Sequence, residues 1–234
     1  MLFLFSCVLG LTAWAVLIHN TFWLWQNYIS RGTKSVLIGA HAFWLHPFFV
    51  AAAWWKLYGF PFDPRLWAAF FLHDLGYVGK MAMDSEDGEL HPILGARIMH
   101  VLFDWAPIWP SSRWTEQTYK WYNFTLCHSR HLAKRYNMPF SRLCVADKLA
   151  GVLTPTWLYL PMVTLTGEIE EYLENARKHF AANPDKARPE FEAMASGDKK
   201  KWHKAFQQYM KIWVNEFRDG KQDTWTPNRY GKAA

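Results

Sequence analysis

Residues 68–80 read AAFFLHDLGYVGK, and the fold and chemistry of this 234-residue chain turn on that stretch. An apolar run leads directly into His73 and Asp74, side by side. Such a run reads as a buried helix, and a histidine–aspartate pair is an unusual way to end one. Buried aspartate is rare unless it is paired or bound to a metal, because an isolated charge in an apolar interior is costly. Working outward, three more histidines and one aspartate flank the pair, giving the order His46, His73-Asp74, His91, His128, Asp147. Imidazole nitrogen together with carboxylate oxygen suits Mn, Fe, Co, Ni or Zn better than Ca or Mg. Six such ligands, with Asp74 offering two oxygens, are enough for two divalent transition metals.

Four blocks carry a resemblance to a known family. HPFFVAAAWWKLYG (46–59) puts a histidine ahead of small and apolar residues, and the doublet follows in AAFFLHDLGYVGK. HPILGARIM (91–99) opens on a histidine and runs through a Gly-Ala pair, and HSRHLAKRYNMPFSRLCVADKLAG (128–151) closes on an Ala-Asp. This order resembles the HD-domain superfamily of metal-dependent phosphohydrolases. The closing block is similar to that of the bacterial enzymes that cleave diadenosine tetraphosphate symmetrically. The resemblance spans about His41 to Pro155, roughly half the chain. It implies an all-α fold, an HD-domain helical bundle, with a dinuclear site. One metal would be held by His46, His73, Asp74 and Asp147, and the other by Asp74, His91 and His128. The reaction implied is attack of an activated water on a nucleotide or another small phosphate ester.

Family members often carry a lysine two residues after HD-[Ile/Leu], in the pattern HD-x-G-K. Tyr77 stands there in this chain, and Gly79-Lys80 completes the pattern three residues late. Lys80, Arg130 and His131 are the candidate substrate-handling residues beside Asp74, with Lys134 and Lys148 also close in sequence; arginine is the better bidentate phosphate partner. The spacing to Asp147 favours His128 as the ligand, and His131, about one helical turn on, is free to face substrate. His41 and His100 read as core histidines. The acidic run Asp84, Glu86, Asp87, Glu89 reads as a solvated loop, with Glu89 a candidate partner for a ligand histidine. Two other functions fit the same ligands: a di-iron oxygenase on this framework, and a regulatory module that binds metal without turnover.

Three segments follow from composition: 1–30, a hydrophobic N-terminal helix; 31–165, the metallohydrolase core; and 166–234, a helical C-terminal extension and tail. The net charge of +6 lies wholly in the last part, since residues 1–174 hold thirteen basic and thirteen acidic side chains and 175–234 hold thirteen and seven. That basic segment contains no established nucleic-acid recognition motif, so nucleic acid is not an expected partner. Three scattered cysteines give neither a disulfide framework nor a CxxC site and point to a reducing compartment. Residues 1–30 contain no Asp, Glu, Lys or Arg, and MLFLFSCVLGLTAWAVLI is followed by the aromatic TFWLWQNY and then by Arg31 and Lys34. Length, aromatic belt and following positive charge read as a membrane anchor that leaves the rest cytoplasmic, tethered to the inner face; a helix packed on the domain or on a partner is the alternative.

Periodicity and breakers predict helices over Val36–His46, Pro47–Tyr58, Pro64–His73, His91–Phe103, Glu116–Arg135 and Ser141–Leu153. Two more are predicted from Glu168 to about Phe180 and from Lys199 to Arg218. In the last, Trp202, Phe206, Met210, Trp213 and Phe217 form a packing stripe, and the tail beyond Gly220 reads as loosely ordered.

Overall fold

The computed structural model describes residues 17–21, 23–104, 120–182 and 188–226. The described residues are helical and contain no strand, as the sequence leads one to expect. Residues 17–21 and 23–28 are helical and largely exposed, while the first sixteen residues of the expected anchor lie outside the described residues. Among the described residues no single helix is long and apolar enough to cross a membrane.

Helix α1 (Arg31–Ile38) starts at Ser30, whose hydroxyl accepts from the Thr33 amide. It stops at Gly39, so the helix expected over Val36–His46 does not form; residues 39–45 turn instead. The cause is remote in sequence. Buried Glu168 accepts from the Ser35 hydroxyl (2.7 Å) and the Ala40 amide (3.1 Å), and so takes up a backbone donor that a continuing helix would use. A Cβ at Gly39 would fall 2.0 Å from the Glu168 carboxylate. His46 therefore opens helix α2 (His46–Tyr58) rather than closing α1, with Pro47 in the first turn where its missing N–H costs nothing.

Helix α3 (Pro64–Leu72) is capped by Asp63, which accepts from the Arg65 amide, and the HD doublet follows its last turn. A 3₁₀ turn (Leu75–Tyr77) leads to the acidic run. There a short helix α4 (Glu86–Glu89), capped by Ser85, replaces the expected loop. Helix α5 (Pro92–Met99) ends in a π-helical turn (His100–Asp104) whose Asp104 carboxylate accepts from the Trp121 and Tyr122 amides.

The helix expected over Glu116–Arg135 is two helices where it is described, α6 (Lys120–Leu126) and α7 (Arg130–Arg135). The break at 127–129 is held by the Ser129 hydroxyl, which caps α7, and by the Ser141 amide, which donates to the Cys127 carbonyl. It frees His128 from helical geometry. Helix α8 (Arg142–Leu153) packs between α2 and the last helix, α12 (Lys199–Phe217). Around it Val50, Trp54, Phe70, Leu143, Trp213 and Phe217 form the main core. Cys127 and Cys144 are buried free thiols, and Cys7 lies outside the described residues.

Helix α9 (Thr156–Thr166) runs through Pro161, a residue that hides it from a periodicity reading. With α10 (Glu168–Ala182), α11 (Pro189–Ala195) and α12 it builds a second core of Tyr159, Val163, Ile169, Leu173 and Trp202. Part of the tail expected to be loose is packed: Lys134 Nζ donates to the Asp223 and Thr226 carbonyls, and Arg188 lies 3.8 Å from the Trp225 ring centre.

Candidate metal centre

Six side chains from five parts of the fold meet in one buried cluster. His46 comes from the first residue of α2, His73 and Asp74 from the end of α3, His91 from the residue before α5, His128 from the break after α6, and Asp147 from the middle of α8. Two close approaches bring the doublet and His91 together. A Cβ at Gly76 would lie 2.0 Å from the His91 carbonyl oxygen, and one at Gly95 would lie 2.3 Å from that of Leu72. The Gly-Ala pair of the HPILGA block thus lets α5 seat directly on the backbone that carries the doublet.

The Asp74 carboxylate is the hub. Its Oδ2 lies 2.9 Å from His73 Nε2 and 3.4 Å from His46 Nε2; its Oδ1 lies 3.4 Å from His128 Nε2 and 3.5 Å from His91 Nε2. Asp147 Oδ1 completes the first side, 3.0 Å from His46 Nε2 and 3.8 Å from His73 Nε2. The residues therefore form two groups that share Asp74: His46, His73, Asp74 and Asp147, and Asp74, His91 and His128. In each group the donor atoms lie within 4.8 Å of one another.

Three of the histidines are held in the same way. Nδ1 of His73, His91 and His128 faces the carbonyl of Phe70, Gly88 and Thr125, each three residues earlier, at 2.9, 2.8 and 2.6 Å. A carbonyl only accepts, so Nδ1 carries the proton in each case. For a neutral ring that leaves Nε2 as a bare acceptor aimed inward, the orientation that metal-ligating histidines adopt.

The resulting geometry is unstable without a cation or extra protons. His91 Nε2 and His128 Nε2 are 3.0 Å apart, lone pair against lone pair. His73 Nε2 and Asp74 Oδ2 are both buried without a hydrogen-bond partner, although 2.9 Å separates them. Buried polar atoms are seldom left in that state. The donor set, its burial and its unpartnered atoms fit bound metal: the six residues can hold metal ions.

The electrostatics agree. Burial works against ionised Asp74, but the His73 and His41 rings and the close approach of His128 hold its carboxyl well below the usual range. Burial likewise opposes charge on Asp147, and Lys148 with His46 and His73 outweighs it in the same direction. Burial disfavours a charged His73, yet the Asp74 and Asp147 carboxylates raise it to about 10. Burial and mutual proximity push His91 well below its ordinary value, and burial lowers His128. One side of the cluster is thus anionic with an added proton, the other neutral and rich in lone pairs.

A cavity of about 340 Å³ opens from the cluster. Arg130, His131 and Lys148 line it, and Arg130 Nη1 is buried with no hydrogen-bond partner. Lys148 Nζ donates to Asp147 Oδ2 at 2.7 Å. His131 Nε2 lies 3.4 Å from Glu89 Oε1, outside both ligand groups, so Glu89 partners the cavity histidine rather than a ligand. Lys134 is turned to the tail carbonyls. Lys80 is not brought to the cavity; it pairs with Asp87 on α4.

Two residues gained a place that the sequence did not suggest. His41, read as a core histidine, lines the cavity with its ring 4.5 Å from Tyr77 and its Nδ1 2.8 Å from the Ser35 hydroxyl. Glu168, fully buried, accepts from that hydroxyl and from Thr166 and Tyr172. No local pattern marks either one, since the link between them spans most of the chain. His100, in contrast, pairs with Asp104 (3.2 Å) and has no part in the cluster. No family model, characterised protein or solved structure matches the chain.

Proposed function

We propose that the chain is an HD-type metal-dependent phosphohydrolase that uses a dinuclear His/Asp site against a small phosphate ester, nucleotides included. The observation that carries the reading is Asp74, whose two oxygens face two separate sets of inward-pointing donors. His46, His73, Asp74 and Asp147 would hold one divalent transition metal (Fe, Mn, Co, Ni or Zn), and Asp74, His91 and His128 the other. Cations held by these residues would lower the pKa of a water and neutralise charge on phosphoryl oxygens.

The chain's own residues supply the rest. The Nδ1–H bonds to backbone carbonyls fix the ligand rings, so no rotamer freedom is lost when a cation enters. Arg130, on the cavity wall with its guanidinium 5.0 Å over the Trp213 ring and its Nη1 lacking a hydrogen-bond partner, offers a charge-assisted donor to a phosphoryl oxygen. Lys148 holds Asp147 in place. His131, backed by Glu89, faces the cavity where the leaving group would stand and can hold or give a proton there. Phosphoryl transfer demands mainly such positioning and charge.

The proposal also sets the domain against the inner face of a membrane. An exposed aromatic ridge runs from Phe43 and Trp44 through Phe48 (52% exposed) and Trp55 (62%) to Phe60 and Phe62 (86%). Ring contacts of 5.5 Å (Trp55–Phe60) and 4.8 Å (Phe60–Phe62) join its far end, and no charged residue occurs from 35 to 55. Apolar patches of this kind mark interaction surfaces, and aromatic rings favour the headgroup region.

The test of the enzymatic reading is phosphate release from a panel of nucleotides, dinucleotides and simple phosphate esters by protein loaded with each metal in turn. Metal-dependent release supports it. Bound iron with oxygen-dependent spectra and no release would move the assignment to an oxygenase.

A further inference from the structure

The cavity does not end at the metal cluster. It continues between α9, α10, α11 and α12, where Tyr159, Tyr172, Phe191, Trp202, Phe206 and Met210 line it. The rings of Tyr172, Trp202 and Phe206 lie nearly parallel, with interplanar angles of 7° and 4° and centroids 5.2 and 5.3 Å apart. The wall reaches close to the cluster because of one residue. Gly151 lies one helical turn beyond Asp147 on α8, and a Cβ there would meet the Phe206 ring at 3.1 Å. An aromatic slab thus abuts the helix that carries a candidate ligand.

Several polar groups of this half are already engaged within the protein. The Tyr172 hydroxyl donates to Glu168, Asn175 Nδ2 donates to Asp84 Oδ2 at 3.0 Å, and the Thr154 hydroxyl donates to the Ala150 carbonyl. A sugar or a base edge needs several donors and acceptors that are open to it, since displacing its water without replacing those bonds loses affinity. An apolar body needs only the surface that these rings offer.

We infer that the substrate is a phosphate ester whose organic part is apolar, seated among Tyr159, Tyr172, Trp202 and Phe206 with its phosphate at Arg130 and the metal cluster. The inference rests on the hydrolase reading for the phosphate end alone; the apolar chamber stands on its own geometry. The apolar part can be an aryl group or the chain of an amphiphile, and the shared chemistry is a hydrophobic body one ester bond from a phosphate.

The experiment is calorimetric titration of the full chain with 1-naphthyl phosphate, n-octyl phosphate, glycerol 3-phosphate and a nucleoside monophosphate, run beside phosphate-release assays of the same four. The expected result is at least tenfold tighter binding of the naphthyl or octyl ester than of the glycerol ester, and loss of most of that preference in Phe206→Ala. Which of the two apolar esters binds tighter separates an aryl substrate from an amphiphile. Gly151→Ala, which pushes the Phe206 ring into the chamber without removing it, should weaken the apolar esters several-fold and guards against a folding failure of the first variant. Equal binding of apolar and glycerol esters, or tighter binding of the nucleotide, overturns the inference even if phosphate is released. Selective binding of apolar esters with no release from any of the four supports the chamber and sinks the hydrolase reading instead.

Discussion

His73, His91 and His128 each spend Nδ1–H on the carbonyl three residues earlier and turn Nε2 toward Asp74. At this scale the site was largely legible before any fold was known. Ligand identity is a matter of side-chain type and order, and the spacing from His128 to Asp147 picked out the histidine that joins the cluster over His131. The carbonyl partners are backbone atoms, and no residue type announces them. Lys80 lies away from the cavity because the three added residues carry it onto the acidic side of α4, where Asp87 takes it. Arg130→Ala should raise KM for a phosphate ester about tenfold and leave the metal content unchanged, as steady-state kinetics beside metal analysis will read. His203 gives a prediction independent of the metal. Burial lowers it from 6.5 to about 4, with its ring stacked on Tyr159 at 4.4 Å. A depressed folded-state value means that its contribution is fully present above pH 6.5 and is lost as pH falls toward about 4. Between those limits the wild type should lose about 2 kcal/mol more unfolding free energy than His203→Gln, by urea denaturation across pH.

Among elements, the seat of α5 on the doublet governs whether His91 reaches Asp74. A Cβ at Gly95 would meet the Leu72 backbone, which cannot move aside as a flexible side chain could. Gly95→Val should therefore destabilise the fold by about 3 kcal/mol and weaken metal binding at the His91–His128 side before the other, measured by denaturation and by metal titration. The helices with clear caps and breakers were readable: Asp63 and Pro64 open α3, and Gly59 ends α2. The ones that were not depend on distant partners. Glu168 ends α1 early, and Ser129 with the Ser141 amide splits the helix expected to run to Arg135. Pro161 concealed α9 because its tolerated place inside a helix is the exception to a rule that usually holds.

Across the whole molecule, helix α12 is shared between the main core and the cavity wall. Trp213 and Phe217 of α12 are buried in the main core with Val50 and Phe70, while Trp202 and Phe206 of the same helix line the cavity. The stripe that periodicity revealed thus serves two purposes, and only the first could be read from spacing. The aromatic ridge on the opposite side of α2 from its core face gives the prediction for this scale. The full chain should sediment with lipid vesicles, and a chain starting at Arg31 should retain weaker binding that falls at least fivefold when Trp55 and Phe62 are both changed to Ser. Full-length protein that stays in the supernatant at all lipid concentrations would contradict the membrane placement.

The central claim is that one carboxylate joins two metal sites, and elemental analysis of purified wild type and Asp74→Ala tests it most directly. The account predicts about two equivalents of transition metal in the wild type and loss of both in the variant, since Asp74 contributes an oxygen to each group. A variant that keeps two equivalents, or a wild type that binds none from metal-supplemented buffer, would contradict it.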